Sequence, residues 1–244
     1  MNVAAPAMRE FLFSRLRETF SIDDGYSDDN ILVTDGQLDD LPKLVFRRHG
    51  PLARPVSGGR FQIPASTTGA LHFVCAFDKP SVQIAPHCRL NADFRLWRDS
   101  EVSIGSHTTI NQARMFADNS EIHIGPDCMF SDDILLQSAD QHGLIDMASL
   151  SFLNDRRRHI VLKEHVWVGR RCTIMPDVVI GEGSVIGTGS IATKDAAAFS
   201  FLVGVPARTV RDGGSWTRQP GQISRREQEF FDRARSVKAD GESA

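Results

Sequence analysis

Apolar residues recur at every sixth position in the second half of the chain. The strict run extends from Leu162 to Ile186, and glycine follows three of its apolar residues. A helix would repeat about every 3.6 residues and a half-buried strand about every two, so neither explains this period. One buried apolar residue, a small residue four positions later and a tight turn describe a short strand followed by a corner. The ladder consists of Leu162, Val168, Ile174, Ile180 and Ile186.

A longer repeat precedes this run. Three consecutive blocks of 20 residues align without gaps, beginning at Ile84, Ile104 and Ile124. Each block divides into sixes with two additional residues, so that three short strands and three corners complete one coil. Stacked coils pair as parallel strands about 4.8 Å apart and bury the apolar ladder between them. The pattern therefore predicts a mainly β chain with a parallel β-helix over residues 81–211.

The segments outside this region have different patterns. An apolar stripe over residues 8–20 has the spacing of an amphipathic helix, and residues 1–80 are predicted to be a helical or irregular extension. Near the other end Ser224 and Glu227 form a capping box, which marks the start of a helix. Residues 212–244 are therefore predicted to be a tail with a short C-terminal helix. The stripe consists of Met8, Phe11, Leu12, Leu16 and Phe20.

Composition narrows the class of protein. Of the 244 residues 41% are hydrophobic and 24% are charged, which excludes disordered and fibrous chains. The formal net charge of −3 provides no general attraction to nucleic acid or to anionic membranes. We expect a cytoplasmic protein without membrane insertion, because neither a spanning apolar stretch nor an export signal is visible. The cysteines have no CxxC spacing, and Cys88, Cys128 and Cys172 occupy the small position of the repeat, so we expect reduced thiols that fill the core.

Three motifs resemble a known family. They are HVWVGRRCTIMPDVVIG at 165–181, IGEGSVIGTGSIATKD at 180–195 and GVPAR at 204–208. These motifs resemble the hexapeptide-repeat acyltransferases, and most of all the branch of galactoside, maltose and polysaccharide O-acetyltransferases. The resemblance implies a left-handed parallel β-helix that assembles as a homotrimer. The spacing alone does not give the handedness, because parallel crossovers are normally right-handed.

One histidine interrupts the repeat. In the block that begins at Ile124, the second-last residue is His142, at the position that Val102 and Ile122 fill in the two earlier blocks. A residue that breaks a local rule often marks a functional site. The segment SADQHGLID at 138–146 resembles the family segment whose histidine deprotonates the acceptor. The resemblance therefore implies that His142 is the general base.

The reaction implied by the resemblance needs such a base. Acetyl transfer from a thioester to a sugar hydroxyl requires removal of a proton from a poor nucleophile, and an imidazole accepts protons near neutral pH. We predict direct attack in a ternary complex, because no covalent acyl-enzyme is required. Asp140, Asp146 or a backbone carbonyl could orient the imidazole. Composition and resemblance also predict a loop excursion over residues 144–161, which we expect to reach over the active site of a neighbouring subunit.

The resemblance also implies acetyl-CoA as the acyl donor, bound in a groove between neighbouring prisms. Because the chain is acidic overall, the phosphates of this donor need a local group of basic side chains, and arginine can bind phosphate in a bidentate manner. The family positions for the pantetheine arm match Trp167, Gly169, Arg170, Gly187 and Thr188, and those for the nucleotide end match Thr193, Lys194, Arg208 and Arg211.

For the acceptor, the resemblance implies contacts from Asn111, Asp118 and Asn119. Asn111 matches a substrate-contacting asparagine of the sugar acetyltransferases, and the other two residues match their acidic pair. The family has an acidic residue in the place of Asn119, and this departure leaves the acceptor open. The leading prediction is an acetyl-CoA-dependent O-acetyltransferase for a sugar or polysaccharide hydroxyl. O- versus N-acetylation and the length of the acyl group stay open.

Several alternatives use the same fold. An N-acetyltransferase for an amino sugar or an antibiotic would share the donor, whereas a trimeric scaffold would bind no CoA. His87 and His107 share a repeat position and are predicted to stack as a ladder, while His165 is predicted to be a packing or pantetheine-side residue. The leading prediction includes no metal. A γ-type carbonic anhydrase would instead bind zinc through histidines from two subunits, and the candidate ligands are His87, His107, His123 and His142.

Overall fold

The chain winds into stacked three-sided coils. The computed structural model describes residues 7–50 and 54–241. Ladders of short strands form the three sides, and neighbouring strands in each ladder are almost all parallel. The backbone N–H and C=O groups of one coil therefore bond to the coils above and below it, which satisfies groups that burial would otherwise leave unpaired.

The first face is an eight-stranded sheet. Ile122 pairs with Val102 on one side and with Ile160 on the other, and only the first two strands in sheet order are antiparallel. In sheet order its strands are β1 (Arg9–Leu12), β3 (Ile31–Thr34), β5 (Arg60–Gln62), β7 (Ser81–Ile84), β9 (Ser100–Ile104), β11 (Ser120–Ile124), β14 (Arg158–Leu162) and β17 (Val178–Ile180).

The second and third faces share their early strands. The long strand β10 (Thr109–Ala117) shows how, because Thr109 and Ile110 pair with one later strand while Ala113–Phe116 pair with another. The other shared strands are β6 (Thr68–Cys75) and β8 (Arg89–Leu96), while β4 (Lys43–Arg48) and β2 (Ser21–Ile22) pair only in the part of the ladder that leads to the third face. The second face continues with β12 (Met129–Phe130), β15 (Trp167–Val168), β18 (Val185–Ile186), β20 (Phe201–Gly204) and the antiparallel β21 (Ala207–Arg211), and the third with β13 (Ile134–Gln137), β16 (Thr173–Ile174) and β19 (Ile191–Ala192).

Helical structure is confined to a few segments of the described chain. Phe13–Arg15 and Leu38–Asp40 form single 3-10 turns, and α1 (Arg225–Gly241) is the predicted C-terminal helix. Its capping box is present, since the Ser224 backbone N–H donates to Glu227 Oε2 at 2.7 Å and the Glu227 N–H to Ser224 Oγ at 3.3 Å. None of these described helices combines the length and the apolar character that crossing a bilayer requires.

The predicted irregular extension over residues 1–80 is wrong. Leu32 pairs with Phe61, and Phe61 pairs with Val82, in unbroken parallel register. Strands of this region therefore stack directly onto the rest of the first face, and Ser21 already pairs in parallel with β4. The coils begin far earlier than the repeat in the sequence indicates.

An aromatic core explains why the pattern hides these coils. Phe46, Phe73 and Phe94 are fully buried and stack along the column with ring centroids 4.8 and 4.9 Å apart. Later coils continue this ladder with Met115, Leu136 and Ile174. A ladder of phenylalanines stabilises the column through apolar burial and ring contacts without reproducing the six-residue pattern.

The predicted helix over residues 8–20 is also wrong. Its first part is the edge strand β1, and Phe13 begins a 3-10 turn. Phe13, which the apolar stripe leaves out, is fully buried, whereas Leu12 is 47% exposed. Pairing of this backbone with β3 outweighs the weak intrinsic preference for a helix.

All four cysteines are buried free thiols. Cys88, Cys128 and Cys172 fill the core, as predicted. Burial raises the pKa of Cys128 to about 12 and that of Cys88 to about 11, which keeps both groups protonated at neutral pH.

Candidate active site

An excursion leaves the stack at the corner between the third and first faces, which we call the excursion corner. The third-face strand β13 ends at Gln137 and the first-face strand β14 begins at Arg158. At its start the buried Ser138 Oγ donates to the carbonyl of Phe116 at 2.7 Å, and at its end the Arg158 N–H donates to the carbonyl of Asn119 at 3.1 Å. The ladder thus closes beneath the excursion, which begins and ends earlier than the predicted range.

His142 lies in this excursion and does not occupy a core position. The position below Val102 and Ile122 in the ladder is filled by Ile160, which is fully buried. The expectation that His142 replaces an apolar core residue is therefore wrong, although its side chain is exposed at the place where the repeat is interrupted.

The excursion folds back on itself to form a polar pocket of about 250 Å³. Asn154 Nδ2 donates to the backbone carbonyl of His142 at 2.8 Å and to Asp140 Oδ2 at 3.3 Å. Gly143 lies so close to the Phe152 ring that a Cβ there would be 2.7 Å from it. The pocket is lined by Arg98, Asp140, Gln141, His142, Gly143, Phe152, Asn154 and Asp155.

Neither carboxylate proposed to orient the imidazole contacts it among the described residues. Asp146 accepts hydrogen bonds from Ser149 and from the backbone of Ala148, and these bonds lower the pKa of its carboxyl. Asp140 faces Asn154 and lies 3.8 Å from Arg158. The imidazole of His142 therefore projects into the pocket with no hydrogen bond to the described part of the chain.

The buried carboxylate of Asp118 binds the guanidinium group of Arg98 at this pocket. Asp118 is 7% exposed and accepts hydrogen bonds from the Arg98 backbone N–H, Nε and Nη2 at 3.2, 2.9 and 3.2 Å. The hydrogen bond to Asp118 raises the pKa of the Arg98 guanidinium. Arg98 lines the pocket of His142, so Asp118 acts on the site through the arginine.

The three predicted acceptor residues are not brought together. Asn119 adopts a left-handed conformation with φ 47° and forms the corner through its backbone. Asn111 lies near the other end of β10, where its Oδ1 accepts from Arg89 Nη2 at 3.3 Å. In the described chain Asp118 is linked to the pocket of His142 through the Arg98 side chain, and the Asn119 backbone N–H donates to the Arg98 carbonyl, whereas Asn111 is remote from it.

The predicted pantetheine residues share a different corner, between the second and third faces. The Gly169 N–H donates to the Ile186 carbonyl at 2.8 Å, so the turns at Gly169 and Gly187 stack. A Cβ on Gly169 would lie 2.8 Å from that carbonyl oxygen, which explains the glycine. Thr188 is exposed on the same corner, and the half-buried Trp167 lies on the strand that leads to it. Arg170 is held there by Asp132, with Nε 2.9 Å from Oδ1.

The predicted nucleotide residues fall into two groups. Thr193 and Lys194 are exposed immediately after β19, on the excursion corner and farther along the stack than His142. Arg208 and Arg211 are exposed on β21, and the Arg211 guanidinium lies 5.8 Å from the Phe201 ring centroid. None of the predicted donor residues lines the pocket of His142 in the described chain.

The corner between the first and second faces, the clasp corner, holds a buried histidine. His165 is fully buried, with Nδ1 2.7 Å from Asp127 Oδ2 and Nε2 3.0 Å from the Trp216 carbonyl. Its ring stacks on Trp216 at a centroid distance of 4.3 Å. His165 is a packing residue, which is one of the two roles predicted for it. A cavity of about 700 Å³ between α1 and the last coil contains none of the predicted site residues.

An arginine of the C-terminal segment completes this cluster. Arg218 Nη2 lies 2.9 Å from Asp127 Oδ1 and also donates to the carbonyls of His107, Asp127 and Cys128. Burial tends to raise the pKa of Asp127, but the His165 hydrogen bond and the Arg218 charge outweigh it, so the pKa of this carboxyl lies below its usual value. The cluster fastens the C-terminal segment to the coils.

The remaining histidines are distributed over the surface. His87 and His107 stack with ring centroids 5.0 Å apart, as predicted for a ladder. His123 lies on the first face, with Nδ1 2.7 Å from Ser103 Oγ. Of the four histidines considered as zinc ligands, His87 and His107 are stacked on each other, whereas His123 and His142 lie elsewhere in the chain. In residues 7–50 and 54–241, no three His, Cys, Asp or Glu side chains converge in a way that could hold a metal ion.

Sequence reasoning missed Arg98 and Asn154. Arg98 had a detectable signal, because it precedes Asp118 by one block of 20 residues and equivalent positions of successive blocks lie side by side. Asn154 lies in the excursion, where the repeat provides no register.

The stacked coils and the six-residue ladder define a hexapeptide-repeat protein, and comparison with known proteins agrees. A family model described as bacterial transferase hexapeptide (six repeats) matches residues 159–194. Over these residues the chain is similar to the hexapeptide-repeat transferases, and the relatives below are similar over a longer stretch.

Two relatives are named as O-acetyltransferases. The chain is 35% identical over 138 residues to the polysialic acid O-acetyltransferase of Escherichia coli O1:K1 / APEC, covering 56% of this chain and 45% of the relative. It is 28% identical over 135 residues to the galactoside O-acetyltransferase of Escherichia coli K12, covering 48% of this chain and 66% of the relative. The chain thus spans about half the length of the curated relatives it matches.

A solved structure extends the likeness over most of the chain. The crystal structure of the polySia specific acetyltransferase NeuO has a TM-score of 0.65 and 25% identity, and the superposition covers 87% of this chain and all of that one. The likeness therefore includes coils that the family model does not cover.

Proposed function

We propose that this protein transfers an acetyl group from acetyl-CoA to a hydroxyl of a saccharide, with His142 as general base. The observation that carries the proposal is an imidazole in a polar pocket with no hydrogen bond to the described residues, on the excursion between β13 and β14. The names of the acetyltransferase relatives support the reaction class. The ion pair of Arg98 with Asp118 supports a fixed cation next to the imidazole.

The reaction balances without a covalent enzyme intermediate. The imidazole of His142 takes the proton from the acceptor hydroxyl as its oxygen attacks the thioester carbonyl carbon. The tetrahedral intermediate then collapses, the carbon–sulfur bond breaks, and the departing CoA sulfur receives the proton from the imidazolium. Arg98, held by Asp118, would offer guanidinium N–H groups to acceptor oxygens and fix the orientation of the sugar.

The donor would lie along the corner between the second and third faces. In this proposal the pantetheine chain would run beside the stacked turns at Gly169 and Gly187, with Arg170 on the same corner. Arg208 and Arg211 offer two exposed guanidinium groups for phosphates, with Thr193 and Lys194 on the adjoining corner. Since none of these residues lines the pocket of His142, donor and base would meet where two copies of the chain adjoin.

A homotrimer of left-handed β-helices belongs to the same proposal. The tip of the excursion supports such an assembly, because it exposes a group of apolar side chains that a neighbouring copy would cover. Met147 is 83% exposed and Leu150 is 71% exposed. The group consists of Leu144, Ile145, Met147, Leu150, Phe152 and Leu153.

The central experiment measures release of free CoA from acetyl-CoA with a panel of neutral sugars, amino sugars and acidic oligosaccharides. Acceptor-dependent release with at least one saccharide hydroxyl is expected, and the acetylated product identifies the oxygen or nitrogen by mass spectrometry and NMR. Acceptor-dependent release by His142→Ala at the wild-type rate would exclude this residue as the base. His159→Asn, on the strand that follows the excursion, is the matched control and should keep full activity.

Assembly is tested separately by light scattering. The wild-type protein should have three times the 27.0 kDa mass of one chain. Met147→Asp combined with Leu150→Asp should weaken the assembly and lower transfer activity together. A monomeric wild-type protein with full activity would disprove the shared site.

A further inference from the structure

A second groove adjoins the pocket of His142. It has a volume of about 310 Å³ and lies on the outer side of the third face, next to the excursion. Gln141 lines both spaces, and Trp97 of the groove immediately precedes Arg98 of the pocket. The two spaces therefore adjoin at Gln141. The groove is lined by His49, Arg95, Trp97, Arg114, Phe116 and Gln141.

Aromatic side chains form one wall of this groove. The Trp97 ring lies 4.6 Å from Phe116 and 4.9 Å from His49, measured between ring centroids. These side chains are on the outer side of the sheet, since the alternating positions Phe94 and Leu96 are fully buried inside. Flat apolar rings with a few polar groups around them are typical of ligand sites, and the C–H faces of sugar rings pack well on such surfaces.

Two arginines form the other wall, and they share one carboxylate. Arg95 Nη2 lies 2.9 Å from Asp93 Oδ2 and Arg114 Nε lies 3.3 Å from the same oxygen. Two guanidinium groups against one carboxylate leave a local positive charge on a chain whose net charge is −3. Arg114 has a side chain 59% exposed, and among the described contacts both of its Nη groups are without a partner.

We infer that this groove binds the carboxylate of a sugar next to the one that is acetylated. The inference rests on the proposed function and makes it more specific, because the acceptor becomes an acidic oligosaccharide or polysaccharide instead of a single neutral sugar. One sugar unit lies at His142, while the neighbouring unit packs on Trp97 and its carboxylate accepts from Arg114 and Arg95. Arginine is suited to this role because its fork of donors matches a carboxylate.

The test compares an eight-unit polysialic acid oligomer with the same oligomer after its carboxyl groups are reduced to alcohols. KM for transfer and Kd from calorimetry without donor are measured for both ligands. Arg114→Gln and Arg95→Gln should each weaken binding of the acidic oligomer about 5- to 20-fold. Neither substitution should change binding of the reduced oligomer. Asp93→Asn removes the competing carboxylate and should tighten binding of the acidic oligomer. Trp97→Leu should weaken binding of both oligomers.

Arg225→Gln, on the exposed face of α1, is the control and should change neither KM nor Kd. Equal binding of the two oligomers by the wild-type protein, or no effect of either arginine substitution on Kd, would overturn the inference. Transfer to neutral sugars would continue in that case, so the proposed function would survive. Binding of the acidic oligomer without any transfer from acetyl-CoA would instead disprove the proposed function and retain the groove.

Discussion

The excursion corner and the clasp corner each carry a histidine, and their surroundings are opposite. At the clasp corner both ring nitrogens of His165 have partners, and its faces are covered by Trp216 and by Phe230 at 4.8 Å. At the excursion corner the described chain holds only the backbone of His142, through Asn154. A fully satisfied imidazole stabilises the fold, whereas an unpartnered imidazole in a pocket is available for proton transfer. Residue type alone does not separate these roles.

The strongest test of these opposite roles is to replace His142 and His165 in turn. His142→Ala should lower kcat by about 10²–10⁴-fold, the usual contribution of a general base, with an unchanged melting temperature. His165→Ala should keep the activity of its folded fraction. Steady-state kinetics and thermal melting of both variants check this, and a large loss of kcat in well-folded His165→Ala would reverse the two roles.

The second prediction concerns stability at the clasp corner. His165→Ala should lower the free energy of unfolding by about 3–5 kcal/mol, because it leaves a cavity and removes two buried hydrogen bonds. Asp127→Ala should have a similar effect of about 3–5 kcal/mol, since it leaves His165 and the Arg218 guanidinium without their buried partner. Urea unfolding measures both values. Asp146→Ala, on the exposed excursion, is the control and should change stability little.

The pH dependence of stability should follow the clasp corner. Because the folded state lowers the pKa of Asp127, its stabilising contribution is complete above the ordinary carboxyl value of about 3.9 and is lost as the pH falls through the folded-state pKa. The wild-type protein should therefore lose more stability than Asp127→Asn on acidification below about pH 4. Urea midpoints over a pH series test this, and parallel curves for the two proteins would contradict it.

The smallest expected effect is at the start of α1. Ser224→Ala removes the side-chain acceptor for the Glu227 N–H and should lower stability by about 1 kcal/mol. The helix would remain fastened by Arg218 and by the rings against His165, so acetyl transfer should not change. Thermal melting and the transfer assay together separate this local effect from the loss of the whole clasp, and a change in kcat would show that α1 influences the site.

The coils after residue 81 were predictable because the same kinds of residue recur at equivalent positions of each coil. Residues at equivalent positions of successive coils lie on top of one another. This rule predicts the ladder from Leu162 to Ile186, the cysteines in the core and the stacked pair His87 and His107. The coils before residue 81 were not predictable in this way, since Phe46 and Phe73 fill the same space with larger side chains and leave no periodic aliphatic signal.

The site was predictable only in part. His142 could be found because it lies at the interruption of the repeat, but the reason given for it was wrong, since Ile160 restores the ladder. Pairing across 20 residues could have indicated Arg98 beside Asp118. The folding of Asn154 onto the His142 backbone depends on contacts within the excursion, and a repeat contains no information about them.

The closure of the ladder beneath the excursion has a consequence for how such a protein can change. Ile122 and Ile160 pair as if the intervening segment were absent, and Ser138 and Arg158 secure its two ends. Loops joined at such anchored points tolerate insertions and deletions at modest entropic cost. The segment that carries His142 is therefore exchangeable, and a transplanted segment of different length would leave the coils beneath it folded while changing the pocket.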